Sequence, residues 1–175
     1  MATTETTTRT LVTPVNLKRF YTIVESTLKE MGMDLKEAKV PDTEGQWVYI
    51  KGSAFTMIEI GCSTMHDDEQ IHYIQAFSPI CLLPTANREA FFLELLKYNH
   101  NLLGTFFCIH NDLAILKLIR DLKGLNKIEV RTLIEDVAYV SDKLDNKIIR
   151  NFGVEKADVN FTMLYDLAKV QLLSL

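Results

Sequence analysis

The stretch that decides the fold runs from Trp47 to Cys81 and reads WVYIKGSAFTMIEIGCSTMHDDEQIHYIQAFSPIC. It contains three runs rich in branched and aromatic residues, Trp47 to Lys51, Phe55 to Cys62 and Ile71 to Cys81. Side chains of this kind favour a pleated, half-buried backbone, so each run predicts a strand. The breaks between them, Gly52-Ser53-Ala54 and the polar stretch from Thr64 to Gln70, are too short for a crossover helix. Neighbouring strands must therefore run antiparallel, as a three-stranded meander.

Working outward, the segment before the meander has a helical pattern. Leu17, Phe20, Tyr21, Val24, Leu28 and Met31 recur at spacings of three and four and share one stripe. Thr13 or Asn16 can cap that helix, and Gly32 can end it. After the meander, Pro84 stops the strand and Thr85 or Asn87 can cap a second helix. Its Phe92, Leu95, Leu96, Asn99, Leu102 and Leu103 lie on neighbouring rows, and Gly104 closes it. Thr105 to His110 and Leu113 to Asp121 read as a hairpin about Asn111-Asp112. Asn126 and Glu129 have capping-box spacing and open the most periodic helix, with Val130, Leu133, Ile134, Val137, Val140, Leu144 and Ile148 on its stripe. Beyond Phe152-Gly153, Phe161, Leu164, Leu167, Ala168 and Val170 predict a further helix starting near Asp158. The expected fold is an α+β domain: an antiparallel five-stranded sheet with helices packed on it, in the order α-β-β-β-α-β-β-α, plus an extra C-terminal helix. Residues 1–13 are expected to form a disordered Thr-rich tail, residues 14–153 the domain itself, and residues 154–175 a helical extension of it.

The chain has 175 residues, 47% of them hydrophobic and 24% charged, and its formal net charge is -4. Collagen-like and low-complexity classes are excluded by that composition, and the length suits a single core. An acidic balance offers no positive field for phosphate backbones, so no nucleic-acid partner is expected. No stretch approaches the roughly 18 consecutive apolar residues of a membrane span. Cys62, Cys81 and Cys108 are odd in number and far from any CxxC spacing, a usage that predicts free thiols and a cytoplasmic setting.

Catalytic motifs are missing. The seven Gly residues form neither GxGxxG nor GxxxxGKS, and His66, His72, His100 and His110 lack HExxH spacing. No catalytic residue, cofactor or metal ligand is assigned. An enzyme using Cys62 or Cys108 beside a His would need an activated thiolate, whereas strand cysteines are usually inert packing. The acidic tip His66, Asp67, Asp68 and Glu69 has hard oxygen donors but neither the length nor the Gly of a calcium loop. It is the most polar feature available to the alternative reading, a small-ligand or metal-binding regulatory domain.

The strands are apolar on both alternating sets. Phe55 and Met57 oppose Ile58 and Ile60, and Tyr73 and Phe77 oppose Ile74, Ala76 and Ile80. A sheet covered by helices on one side should have a polar outer face. A second face bearing Trp47, Tyr49 or Phe107 therefore predicts cover by another chain or by the terminal helix. Trp47, Tyr49, Phe55 and Phe77 are the candidate partner-binding or dimer surface, because aromatic anchors dominate interface energetics.

Several strings, together with the order of elements, resemble the YbjN family, whose fold is that of the class I type III secretion chaperones. They are Phe77-Ser78-Pro79, Leu95-Leu96 with Asn99, Phe107 to Ile115, and the long helix from Asn126 with Asp136 and Asp142 along it. The resemblance spans roughly Leu17 to Ile149. It implies a non-enzymatic, chaperone-like or regulatory module, commonly a homodimer, that binds a polypeptide partner in an extended or partly unfolded form; such a peptide can dock by edge pairing or by filling apolar grooves.

Overall fold

The five strands that the alternating pattern favours form one sheet. A computed structural model describes residues 16–64 and 70–158. In chain order the elements are α1 (Leu17–Glu30), α2 (Leu35–Ala38), β1 (Gln46–Lys51), β2 (Ala54–Thr64), β3 (Gln70–Leu82), α3 (Arg88–Asn101), β4 (Phe106–His110), β5 (Leu113–Asp121) and α4 (Lys127–Phe152). All pairings are antiparallel, and the strand order is β1-β2-β3-β5-β4. The α+β class and element order agree with the expectation; the single-turn α2 is additional. Three expected features lie outside the described residues: the Thr-rich tail at 1–13, the acidic tip at 66–69 and nearly all of the terminal helix.

Local chemistry explains the ends of the elements. Gly32, at φ +85, follows α1, where a left-handed residue ends a helix without strain. The capping box of α4 is complete: the Asn126 side chain accepts from the Glu129 amide, and the Glu129 carboxylate accepts from the Asn126 amide. Arg120 at the end of β5 also binds that carboxylate, and this bond followed by the Asn126 amide holds Glu129 below the usual carboxylate range. Neither Asn16 nor Asn87 makes a side-chain cap bond, although each occupies the N-cap position.

One face of the sheet carries the helices. Val24 and Leu28 of α1, Phe91 and Leu95 of α3, and Val130, Leu133, Ile134, Val137 and Ile148 of α4 pack against Trp47, Ile58, Ile60, Ile74, Ala76, Phe107, Ala114 and Leu116. Helix α4 contacts β1, β2, β3 and β5. At about 25 cal/mol per Å² of apolar surface, this layer is the main source of stability. Along α4 the expected stripe shifts in its second half. Ser141 and Asp145 are buried, whereas Val140 and Leu144 are only half-buried against the core.

That shift has a partner in the β1–β2 turn. Asp145 Oδ2 accepts from Ser53 Oγ at 2.7 Å and from Lys156 Nζ at 3.1 Å, while Asp142 Oδ1 accepts from the Ser53 amide at 2.8 Å. Lys156 Nζ also donates to the Ser53 carbonyl at 3.2 Å. Gly52 sits at φ +58, where glycine is favoured for its backbone angle, and a side chain there would have to displace the Asp142 carboxylate. The Asp145→Ala change should cost roughly 1–3 kcal/mol, because it removes the hydrogen bonds that the buried carboxylate accepts from Ser53 and Lys156. Chemical denaturation of the variant checks this; an unchanged midpoint would show that the clamp adds nothing.

Candidate functional site

The register divides the four aromatic candidates between the two faces. Trp47 is buried on the helix-bearing face, edge-on to Tyr21 with ring centroids 5.7 Å apart, and half-buried Tyr49 packs against the same core. Phe107 lies there too. The expectation that Trp47, Tyr49 or Phe107 lies on the second face, the one to be covered by another chain or by the terminal helix, is thus corrected: on β1 and β4 the helices claim these residues, and Val48 and Cys108 point the other way. Phe55 and Phe77 are on the second face, with Val48, Met57, Leu113 and Ile115. The four residues therefore form no common surface.

Cross-strand partners arrange the second face in rows. Val48, Met57, Phe77, Lys117 and Phe106 succeed one another across the sheet, and the adjacent row is Gln46, Glu59, Gln75 and Ile119. The second row contains a buried carboxylate. Gln75 Nε2 donates to Glu59 Oε2, but desolvation outweighs the bonds from Gln75 and Gln46 and the charge of Lys117, and raises the Glu59 pKa. Burial likewise lowers the pKa of Lys117 and raises that of the Cys108 thiol.

No metal-holding group of three or more His, Cys, Asp or Glu residues occurs among the described residues. Cys62 stands directly opposite His72 in the β2–β3 register, so the sheet does bring one Cys and His together. For the other two cysteines, burial pushes the Cys81 thiol up to about 12 and the Cys108 thiol upward, away from the thiolate a nucleophile needs. An open cleft of about 650 Å³ is lined by Glu25, Leu35, Lys36, Lys39, Val40 and Glu44, among others. Its acidic and basic side chains are mixed, which favours no single ligand charge.

The strongest surface feature is one that periodicity alone did not isolate. Helix α3 buries Phe91 and Leu95, with Phe91 edge-on to Phe152 at 5.1 Å, while Leu93 is 50% and Leu96 62% exposed on its outer side. Leu103, just after the helix, is 94% exposed, and Ile109 on the neighbouring β4 is 43% exposed. In the sequence Leu95, Leu96 and Leu103 lie on neighbouring rows of the helical pattern. A helix apolar on several sides gives no clear stripe, so only packing decides which row turns inward.

Beside this patch, β4 is an edge of the sheet, and its outward backbone groups are partly occupied. Asn99 Oδ1 accepts from the Phe107 amide at 2.6 Å, and Asn99 Nδ2 donates to the Phe107 carbonyl at 3.1 Å. The side-chain amide thereby makes the two bonds that a residue of an incoming strand would make. The opposite edge is shielded differently, by a bridge from Lys39 to Trp47 and a bond from the Val40 amide to the Gln46 carbonyl. No model of a known protein family matches the chain, and no curated protein is similar enough to count as a relative.

Two outcomes follow from this geometry. Replacing Asn99 with Ala should destabilise the fold by roughly 1–3 kcal/mol by leaving the Phe107 backbone unpaired, and should raise concentration-dependent self-association. Melting combined with light scattering over a dilution series checks both. Glu59→Gln should raise Tm at pH 7 by roughly 2–4 °C for each kcal/mol of burial cost removed. Because the folded carboxyl titrates above its unfolded counterpart, that cost is absent below the ordinary Glu range and grows as pH rises through it. The gain should therefore vanish in melts below about pH 4; a gain that persists there would assign it to packing.

Proposed function

We propose that the chain is a non-enzymatic protein-binding module of YbjN-like type, chaperone-like or adaptor-like, that works in the cytoplasm as a homodimer and binds a polypeptide partner. The observation that carries this reading is the outer row of α3. Leu93 and Leu96 face outward beside an edge strand, while Phe91 and Leu95 already secure the helix to the core. Isolated exposed leucines are ordinary, but an outward pair on one helix, with Leu103 in the connection that follows and Ile109 on β4 also exposed, is the kind of surface that association buries.

The resemblance in element order supports the same class, as do three cysteines that are all free. In this reading the apolar row supplies area, and the Asn99-guarded β4 keeps association specific by discouraging indiscriminate strand pairing. No helix of the described residues is long and apolar enough to cross a membrane.

Leu93→Glu combined with Leu96→Glu should convert a dimer to a monomer, since two carboxylates cannot be buried across a symmetric apolar contact without a large cost. The change in Tm at high dilution should be small, because both positions face outward. Size-exclusion chromatography with light scattering reads the mass directly. A parent that is monomeric at all concentrations, or a double variant that stays dimeric, would overturn the proposal.

A further inference from the structure

We propose that residues 159–175 of the same chain cover the second face of the sheet. That face is therefore an internal interface, and partner binding is left to α3 and β4. The inference starts at the end of α4, where the chain changes sides. Val154 is buried in the helix-side core, and Ala157, three residues later, is buried among Val48, Met57, Phe77, Leu113 and Ile115 on the other face.

Between these two residues the chain passes through the plane of the sheet. Leu82 N–H donates to the Glu155 carbonyl at 3.0 Å, Ala157 N–H donates to the Ile80 carbonyl at 3.3 Å, and Lys156 bridges Cys81. The gap that makes this possible is at the end of β3, where pairing with β2 begins only at Phe77. Lys156, held by Asp145 and the Ser53 carbonyl, fixes the crossing. The chain thus leaves Asp158 on the second face.

That face needs a cover. Met57 is 0% exposed and Phe77 3%, yet among the described residues only Val40 and Ala157 join these apolar strand residues from outside the sheet. Of the segments outside the description, residues 1–15 include seven Thr and precede α1, which packs on the helix side, and the connection at 65–69 is short and polar. Residues 159–175 are mostly apolar, with Phe161, Leu164, Leu167 and Ala168 at helical spacing and only Asp166 and Lys169 charged. As a helix, about 17 residues span about 25 Å, which matches the width of five strands about 4.8 Å apart.

Cys108 is the reporter, because it is the one cysteine on this face; Cys81 belongs to the helix-side core. In the full chain with Cys62→Ser, the rate at which a maleimide modifies Cys108 is compared with and without Leu164→Asp and Leu167→Asp. The proposal expects at least a tenfold faster reaction in the variant, with Cys81 still unreactive, and restoration of slow modification by a synthetic peptide of residues 159–175. An equal rate overturns it. Protection that weakens on dilution also overturns it, by assigning the cover to a second copy. If Cys81 becomes reactive the variant has unfolded, and amide hydrogen exchange on the unaltered chain decides: protected amides across 160–172 support the proposal, and exchange at the rate of free peptide overturns it. None of these readouts depends on the oligomeric contact proposed for α3.

Discussion

A sheet that is apolar on both faces has to be removed from water on both, and the rest of this structure is arranged around that requirement. The helix-side face is built from Trp47, Ile58, Ile60, Ile74, Ala76, Phe107, Ala114 and Leu116, and three helices pack against it. Helix α4 does most of this because, at 26 residues, it is long enough to reach β1, β2, β3 and β5. The second face, with Val48, Met57, Phe77, Leu113 and Ile115, receives none of the described helices. The passage of the chain from Val154 to Ala157 joins the two sides, and it is feasible because β3 extends beyond its pairing with β2.

Polar groups inside this framework follow two different logics. Asp145 is buried but well supplied, with a serine hydroxyl and a lysine ammonium directed at it, and it ties the β1–β2 turn to α4 and to the exit segment. A carboxylate with such partners organises the elements around it. Glu59 receives its support mainly from the glutamine amides of its own row, beside the apolar row of Val48, Met57 and Phe77, so desolvation prevails. The first is a joint between elements, whereas the second is a polar interruption in a hydrophobic surface.

The edges of the sheet are treated with equal economy. On β1 the connection after α2 adds a bridge at Lys39, and on β4 a single side chain, Asn99, occupies both polar groups of Phe107. An edge strand invites pairing with any other strand, so these contacts bear directly on which associations the molecule permits. The outward leucines of α3 lie next to the guarded edge, where apolar contact can form without an unrestricted ladder.

The strands of the meander, the hairpin about Asn111-Asp112, the capping box at Asn126 and the α+β class are legible in the linear order of residues. They rest on side-chain alternation, turn chemistry and helix ends, which act over a few neighbouring residues. The division of Phe55 and Met57 from Ile58 and Ile60 was legible for the same reason, since successive side chains on a strand point to opposite sides. Which of two apolar faces takes the helices was not, and so Trp47, Tyr49 and Phe107 were assigned to the wrong side. The inward choice of Phe91 and Leu95 over Leu93 and Leu96, the burial of Asp145 and the clamp of Asn99 on Phe107 were equally hidden. Each depends on residues far apart in the chain, and only their meeting in the folded core determines which of several apolar or polar candidates finds a partner.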